Sequence, residues 1–155
     1  SASACGSGGA PCTSCSSNQL CKSGGCVLDP TSKWGIVIGE ASIDTSKKWD
    51  TLVYTAPDPY VSISVGSNTH KTTTKSDTYT PKWDEYTFTT SASAITTWGM
   101  NVSIYDDDSW PSSDQLMGAC KISVTEKVLS SGAGMVNSCG SSGHIKKLTF
   151  TFKSY

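Results

Sequence analysis

Apolar and polar residues alternate along several short stretches of the chain, which is the pattern of strands with one buried face. In PYVSISV, Val61, Ile63 and Val65 fall on one side and two serines on the other. In KWDEYTFTT, the same period places Tyr86 and Phe88 on one face. The other predicted strands are WGIVIGEASI, THKTTTKS, GMNVSIY, MGACKISV and IKKLTFTF. No helix is predicted. About seven short strands, separated by turns, predict an all-β chain folded as an antiparallel β-sandwich.

The residue composition changes near Pro30, where the turn-rich segment LDPTSK precedes the first long apolar strand. Residues 1–30 are rich in glycine, serine and cysteine and contain little that could form a core. We therefore predict two units, a small disulfide-rich module or linker at 1–30 and a β-sandwich domain at 31–155.

Five of the seven cysteines lie in the N-terminal segment, namely Cys5, Cys12, Cys15, Cys21 and Cys26. So dense a cluster indicates disulfides and an oxidising compartment. The connectivity stays open, and four of these thiolates are an alternative zinc site. Cys120 and Cys139 lie far from the cluster and are predicted to pair with each other. Since seven is odd, Cys5 is either a processed, lipid-anchored terminus after Ser-Ala-Ser-Ala or a member of the cluster.

Composition excludes several classes of function. The 155 residues carry a net charge of −1 and contain no arginine, so we expect no nucleic-acid partner. No apolar run is long enough for a transmembrane segment. The two histidines, His70 and His144, have no neighbours that would form a catalytic triad, so we predict that the chain is not an enzyme. His144 is predicted to be a surface residue.

Carboxylates are concentrated in two predicted loops. One loop holds Asp50 and Asp58, and the other, YDDDSWPSSD, holds Asp106, Asp107, Asp108 and Asp114. If both loops emerge at the same end of the sandwich, the carboxylates repel one another unless a cation is present. An all-oxygen ligand set without histidine or cysteine favours calcium over a transition metal.

Three motifs resemble the C2 domain family, in the order in which that family has them. PDPYVSISV is similar to the family's SDPYVKV strand, TPKWDEYTF to its NPxWNExFxF strand, and IYDDDSWPSSDQLMG to its third loop. The resemblance covers about residues 34–153. It implies an eight-stranded C2-type β-sandwich whose loops at one end bind calcium and dock onto phospholipid membranes.

The resemblance also implies a ligand set. Matching the motifs residue by residue gives Asp50, Asp58, Asp106, Asp108 and Asp114 as calcium ligands, with Asp44 as a rival of Asp50. Alternation directs Asp107 away from the ion. Trp110, at the tip of the third loop, is the expected membrane-inserting residue. Trp49 is either a second membrane contact or a loop anchor, whereas Trp34, Trp83 and Trp98 are expected to be structural.

The sequence LMGAC with a second cysteine downstream is similar to the perforin-type C2 domain, which has a disulfide there and follows a small Cys-rich module. This likeness implies an extracellular place of action: secreted, cell-surface or periplasmic. The expected function is therefore that of a calcium-binding module that docks onto anionic or zwitterionic phospholipid membranes. The module is expected to be a monomer. The competing interpretation is a calcium-stabilised extracellular adhesion or structural module that binds a protein or polysaccharide. Lys71 and Lys75 are interpreted as solvated charges on an edge strand.

Overall fold

The computed structural model describes residues 14–49, 55–108 and 113–155. Most of this part of the chain is β-strand, and two short helices connect strands. The strands are β1 (Gln19–Lys22), β2 (Gly25–Leu28), β3 (Lys33–Ile43), β4 (Pro59–Val65), β5 (Asn68–Lys71), β6 (Lys82–Ser91), β7 (Met100–Asp106), β8 (Gln115–Ile122), β9 (Ala133–Asn137) and β10 (Ile145–Ser154). The helices are α1 (Ala92–Trp98) and α2 (Glu126–Ser131).

Eight of the strands form two four-stranded antiparallel sheets. One has the order β6-β3-β10-β9 and the other β5-β4-β7-β8. One continuous cluster of buried side chains includes residues from both sheets. The predicted eight-stranded antiparallel sandwich is confirmed.

Strand β4 shows how the sequence produces this packing. Val61, Ile63 and Val65 are at most 1% exposed, while Ser62 and Ser64 between them point to the outer face. Burying each aliphatic side chain contributes about 1.5–3 kcal/mol. A shift of register by one residue would exchange the two faces, so the alternation fixes the strand's pairing.

Strand β6 departs from simple alternation. Its buried residues are Trp83, Thr87 and Thr90, and Tyr86 is 46% exposed. Two register shifts interrupt its pairing with β3, and each changes which side chains face the core. The prediction that Tyr86 and Phe88 share one face is therefore wrong, because only Phe88 packs against the core.

Both helices are short and were not predicted. The side chain of Ser91 caps α1 by accepting a hydrogen bond from the amide of Ala94, and Thr125 caps α2 in the same way through Val128. Gly132 ends α2 in a left-handed conformation with φ of 75°. The segment between β8 and Cys139 thus contains α2 and strand β9, which is the edge strand beside β10 in the sheet β6-β3-β10-β9.

The N-terminal segment forms a separate two-stranded hairpin of β1 and β2. A disulfide joins Cys15 to Cys26, and Cys21 is also disulfide-bonded. The zinc alternative is therefore wrong, because these three sulfurs are already in covalent bonds. Cys5 and Cys12 lie outside the described residues, so the lipid anchor at Cys5 stays a prediction, as does the division at residue 30.

The second disulfide, Cys120–Cys139, is confirmed. It ties β8 to the segment between β9 and β10, where Cys139 is fully buried. Among the described residues, no helix has the length and apolar character needed to cross a membrane.

Candidate functional site: the aspartate-bearing end of the sandwich

Three neighbouring strands of one sheet bring the predicted aspartates to the same end. Strand β4 begins at Pro59, β7 ends at Asp106 and β8 begins at Gln115, and these three residues lie opposite one another in the strand register. Asp58 directly precedes β4, and Asp114 directly precedes β8. The antiparallel pairing therefore places both predicted loops at one end of the molecule.

Asp58 and Asp106 are in direct contact. The backbone N–H of Asp58 donates a hydrogen bond to Oδ1 of Asp106 over 2.6 Å, and the N–H of Asp107 donates to the carbonyl oxygen of Asp58 over 3.0 Å. Asp106 is 1% exposed. Removing a carboxylate from water is costly unless it is hydrogen-bonded or paired with a cation. The Asp58 amide provides such a hydrogen bond at the end of β7, where two predicted ligands meet.

A third segment, between β5 and β6, borders the same site. The N–H of Asp77 donates to Oδ1 of Asp58 over 2.6 Å, and the hydroxyl of Thr74 donates to Oδ2 of Asp107 over 2.6 Å. None of the three motifs includes the part of this segment that holds Thr74 and Asp77. Asp77 has a positive φ of 51°, a conformation that aspartate adopts more readily than most residues.

Asp107 and Asp108 have different partners. The Thr74 contact holds the Asp107 carboxylate towards the segment between β5 and β6. Oδ2 of Asp108 accepts a hydrogen bond from the Gln115 side chain over 3.2 Å. Gln115 therefore links the two arms of the third loop.

Asp114 is held by Tyr60, the tyrosine of the DPY motif, for which the sequence alone indicates no role at the site. The hydroxyl of Tyr60 donates to Oδ2 of Asp114 over 2.7 Å. Burial raises the pKa of Tyr60 well above its ordinary value, and the hydrogen bond to Asp114 raises that pKa further. Tyr60 is therefore a neutral donor at physiological pH.

Four of the described aspartates at this end of the sandwich have no lysine partner in a salt bridge. Within the part of the chain that the structure describes, Asp58, Asp107, Asp108 and Asp114 form no salt bridge. Among residues 14–49, 55–108 and 113–155, no group of three or more histidine, cysteine, aspartate or glutamate side chains is arranged to hold a metal ion. The described contacts thus join one pair of ligand candidates directly, Asp58 and Asp106.

The first-loop candidates have different outcomes. Asp50 lies outside the described residues, so its position as a ligand stays a prediction. Asp44, its rival, accepts hydrogen bonds from the backbone and hydroxyl of Ser46, which hold the pKa of its carboxyl below the usual range. Oδ2 of Asp44, which accepts from the Ser46 hydroxyl, also lies 3.6 Å from Nζ of Lys146. Asp44 is thus committed to a local turn.

Trp49 is buried and not a surface residue. It is 1% exposed, its ring contacts His144 edge-on at 5.1 Å between centroids, and Nζ of Lys47 lies 3.5 Å from its ring centroid. The membrane-contact role assigned to Trp49 does not fit this burial, whereas the role of loop anchor does. The interpretation of His144 as a surface residue without a partner is likewise corrected.

The remaining tryptophans divide by exposure. Trp34 and Trp83 are buried, and their indole N–H groups donate to Ser32 and to the Thr73 carbonyl, respectively. Trp98 is 58% exposed at the end of α1, so the expectation of a structural role does not hold there. Trp110 lies outside the described residues.

Comparison with known proteins decides the family. A profile of the C2 domain family matches residues 36–138, which is well over half of the chain. The chain belongs to the C2 domain family. The match spans the three motifs in which the resemblance was seen. No curated protein sequence matches the chain.

Solved structures share the fold of this C2 domain. The calcium-bound C2A and C2B domains of extended synaptotagmin 2 superpose with a TM-score of 0.63 and 19% identity, covering 81% of this chain and 46% of that one. The C2A domain of plant extended synaptotagmin 1 gives a TM-score of 0.58 and 18% identity, covering 82% and 98%. Human GIVD cytosolic phospholipase A2 gives 0.52 and 21%, covering 80% of this chain but 18% of the enzyme. At these identities the likeness shows the fold.

Proposed function

We propose that this C2 domain binds calcium at its aspartate-bearing end and docks there onto phospholipid membrane. The observation that carries the proposal is the contact between Asp58 and Asp106, which brings two motif aspartates from separate strands together. Asp108 and Asp114 border them in the third loop. Asp50, which follows the buried anchor Trp49, is the proposed first-loop ligand. C2 domains commonly bind calcium and phospholipid membranes, which gives the proposal its direction.

The donor set fits calcium. Every candidate ligand is a carboxylate, and calcium takes six to eight oxygen ligands in irregular geometry. In the described part of the chain, Asp58, Asp108 and Asp114 form no salt bridge, so a divalent cation would supply positive charge beside them. Bound calcium would neutralise the loops and offer open coordination positions to lipid phosphate or carboxylate oxygens.

The third loop supplies the proposed membrane contact. Trp110 stands between Asp108 and Asp114 in the sequence, next to Pro111. A tryptophan suits the membrane interface because it joins an apolar ring system to one polar N–H. With the aspartates neutralised, Trp110 would enter the headgroup layer. The membrane-contact proposal is restricted to Trp110, because Trp49 is buried.

The proposed place of action is extracellular. Two disulfides among the described residues, Cys15–Cys26 and Cys120–Cys139, persist in oxidising compartments. The second also supports the likeness to perforin-type C2 domains. Extracellular calcium modules bind with dissociation constants of about 10⁻⁴ to 10⁻³ M, and we expect that range here.

We further propose that the domain is not itself an enzyme. Both histidines are engaged in packing or ion-pair contacts, since His70 pairs with Glu85 and His144 packs against Trp49.

Calorimetric titration with calcium, followed by co-sedimentation with vesicles, tests the proposal. We expect calcium binding at or below millimolar levels, and sedimentation with phosphatidylserine-containing vesicles that EGTA reverses. Trp110→Ala should weaken vesicle binding while calcium affinity in solution stays unchanged. No calcium binding at millimolar levels would refute the metal site. Calcium binding without vesicle binding would instead favour a calcium-stabilised adhesion module for a protein or polysaccharide.

A further inference from the structure

Tyr60 is a buried side chain that contacts a proposed ligand. It belongs to β4 and is 7% exposed, although it points to the outer face of its sheet, opposite to Val61. Its ring stacks on Tyr105, its cross-strand neighbour in β7, with 5.3 Å between centroids and 17° between planes. Nζ of Lys71, from β5, lies 3.5 Å from the ring centroid.

These contacts fix the direction of the hydroxyl. A ring that is stacked on one neighbour and covered by a cation has few alternative rotamers. The hydroxyl group therefore reaches Asp114 from a rigid sheet, whereas Asp114 itself is exposed and stands before β8 begins. The donor is fixed, and the carboxylate that it contacts belongs to a loop.

The contact also leaves a definite part of Asp114 available. Tyr60 donates to Oδ2, and a carboxylate has a second oxygen, Oδ1, with its own lone pairs. Ligating carboxylates in metal sites are commonly held in this way by an outer hydrogen bond, and removal of the outer partner typically costs about 10–100-fold in metal affinity.

We propose that Tyr60 is a positioning residue for calcium, which holds Asp114 through Oδ2 so that Oδ1 is presented to the ion. This inference rests on the proposed calcium site. It adds a requirement that the aspartates alone do not impose: a hydroxyl on the outer face of the sheet sets the affinity of the loop-borne ligand.

Paired tyrosine variants test the proposal. Tyr60→Phe removes the hydroxyl and keeps the stacked ring. Tyr105→Phe is the matched control, because it removes a hydroxyl from the same stack but has no bond to a proposed ligand. In calorimetric calcium titrations we expect about a tenfold loss of affinity for Tyr60→Phe. We expect no change beyond twofold for Tyr105→Phe.

The double variant shows whether Tyr60 acts through Asp114. Asp114→Asn should itself lower calcium affinity, and adding Tyr60→Phe to it should cost nothing further, since the group to be positioned is already altered. A second full tenfold loss in that background would overturn the proposal, because the effect of Tyr60 would then be independent of Asp114. The Asp114→Asn variant also tests the pair if Tyr60→Phe folds poorly.

A calcium-free measurement completes the design. The carbon resonance of the Asp114 carboxylate should shift in Tyr60→Phe and stay in place in Tyr105→Phe. The wild-type titration separates the two levels of inference. Absence of calcium binding to the wild type refutes the calcium site and this role with it. Normal binding to both the wild type and Tyr60→Phe refutes the role of Tyr60 alone.

Discussion

The backbone amide of Asp58 and the carboxylate of Asp106 are joined by a 2.6 Å hydrogen bond across 48 positions of the chain. Because the acceptor lies at the end of a central strand and is 1% exposed, the contact sets where the two loops meet. The charge on Asp106 strengthens this bond but is not required for it, since an amide oxygen is also an acceptor. The structural and electrostatic roles of Asp106 are therefore separable.

Asp106→Asn should bind calcium at least tenfold more weakly than the wild type, while it retains its fold. The substitution keeps an acceptor for the Asp58 amide and removes one negative charge from the ligand set. Calorimetric titration measures the affinity, and thermal unfolding in EGTA measures the fold. Asp84→Asn is the control, because Asp84 is exposed in β6 and pairs with Lys82. Equal calcium affinities for Asp106→Asn and the wild type would remove Asp106 from the site.

Loss of the Cys120–Cys139 disulfide should destabilise the sandwich by about 2–4 kcal/mol. The bridge closes a loop with a sequence separation of 19, and Cys139 is fully buried. Urea unfolding of the Cys120→Ala, Cys139→Ala double variant measures the loss. Removal of Cys15–Cys26 should leave the same transition nearly unchanged, because β1 and β2 pair only with each other within the described sheets. Equal shifts for the two disulfides would contradict this view.

Glu85 should make the protein less stable in acid. Burial opposes its ionisation, but hydrogen bonds from the amide and hydroxyl of Thr73 and from His70 keep the pKa of Glu85 below its ordinary value. The folded state therefore favours the carboxylate. Its contribution is present above the unfolded-state pKa, near 4.5, and is lost as pH falls through the lower folded-state value.

Urea unfolding between pH 3 and pH 7 checks this expectation. Glu85→Gln should cost about 1–2 kcal/mol at neutral pH and much less in acid, where the wild-type carboxylate is protonated as well. A constant difference across the whole pH range would show that the contacts of Glu85 do not depend on its charge.

Truncation of two tryptophans to alanine should lower the stability of the protein by very different amounts. Trp49→Ala removes a ring that is 1% exposed and packs against His144, and we expect a loss of about 3–5 kcal/mol. Trp98→Ala removes a ring that is 58% exposed, so its effect should stay within about 0.5 kcal/mol. Chemical denaturation compares the two variants directly. A small effect of Trp49→Ala would mean that the first loop is not anchored through this ring.

The sequence predicted those features that depend on local pattern. Alternation in β4 identified the buried side of Val61 and Ile63, and the spacing of the three motifs identified the sandwich and the end at which Asp58 and Asp106 meet. Both predictions succeed because one period or one motif carries the information. The same holds for Cys120–Cys139, since both cysteines stand apart from the N-terminal cluster.

Features that depend on distant pairing were missed. The bulges of β6 arise from its pairing with β3, and the sequence of β6 alone does not predict them. The contact of Trp49 with His144 and that of Tyr60 with Asp114 each join residues far apart in the chain. In each case the sequence indicates a role for each residue only from its immediate neighbours. The contact itself arises when the fold brings the two residues together.

The Cys120–Cys139 bridge also has a mechanical consequence. When a chain is stretched from its ends, residues enclosed by a disulfide cannot extend, and this bridge encloses a separation of 19. At roughly 3.5 Å per extended residue, about 65 Å of contour length stays hidden under load. Single-molecule pulling should release that length only in the presence of a reductant. With the disulfide intact, the domain would thus extend over a shorter distance under tension.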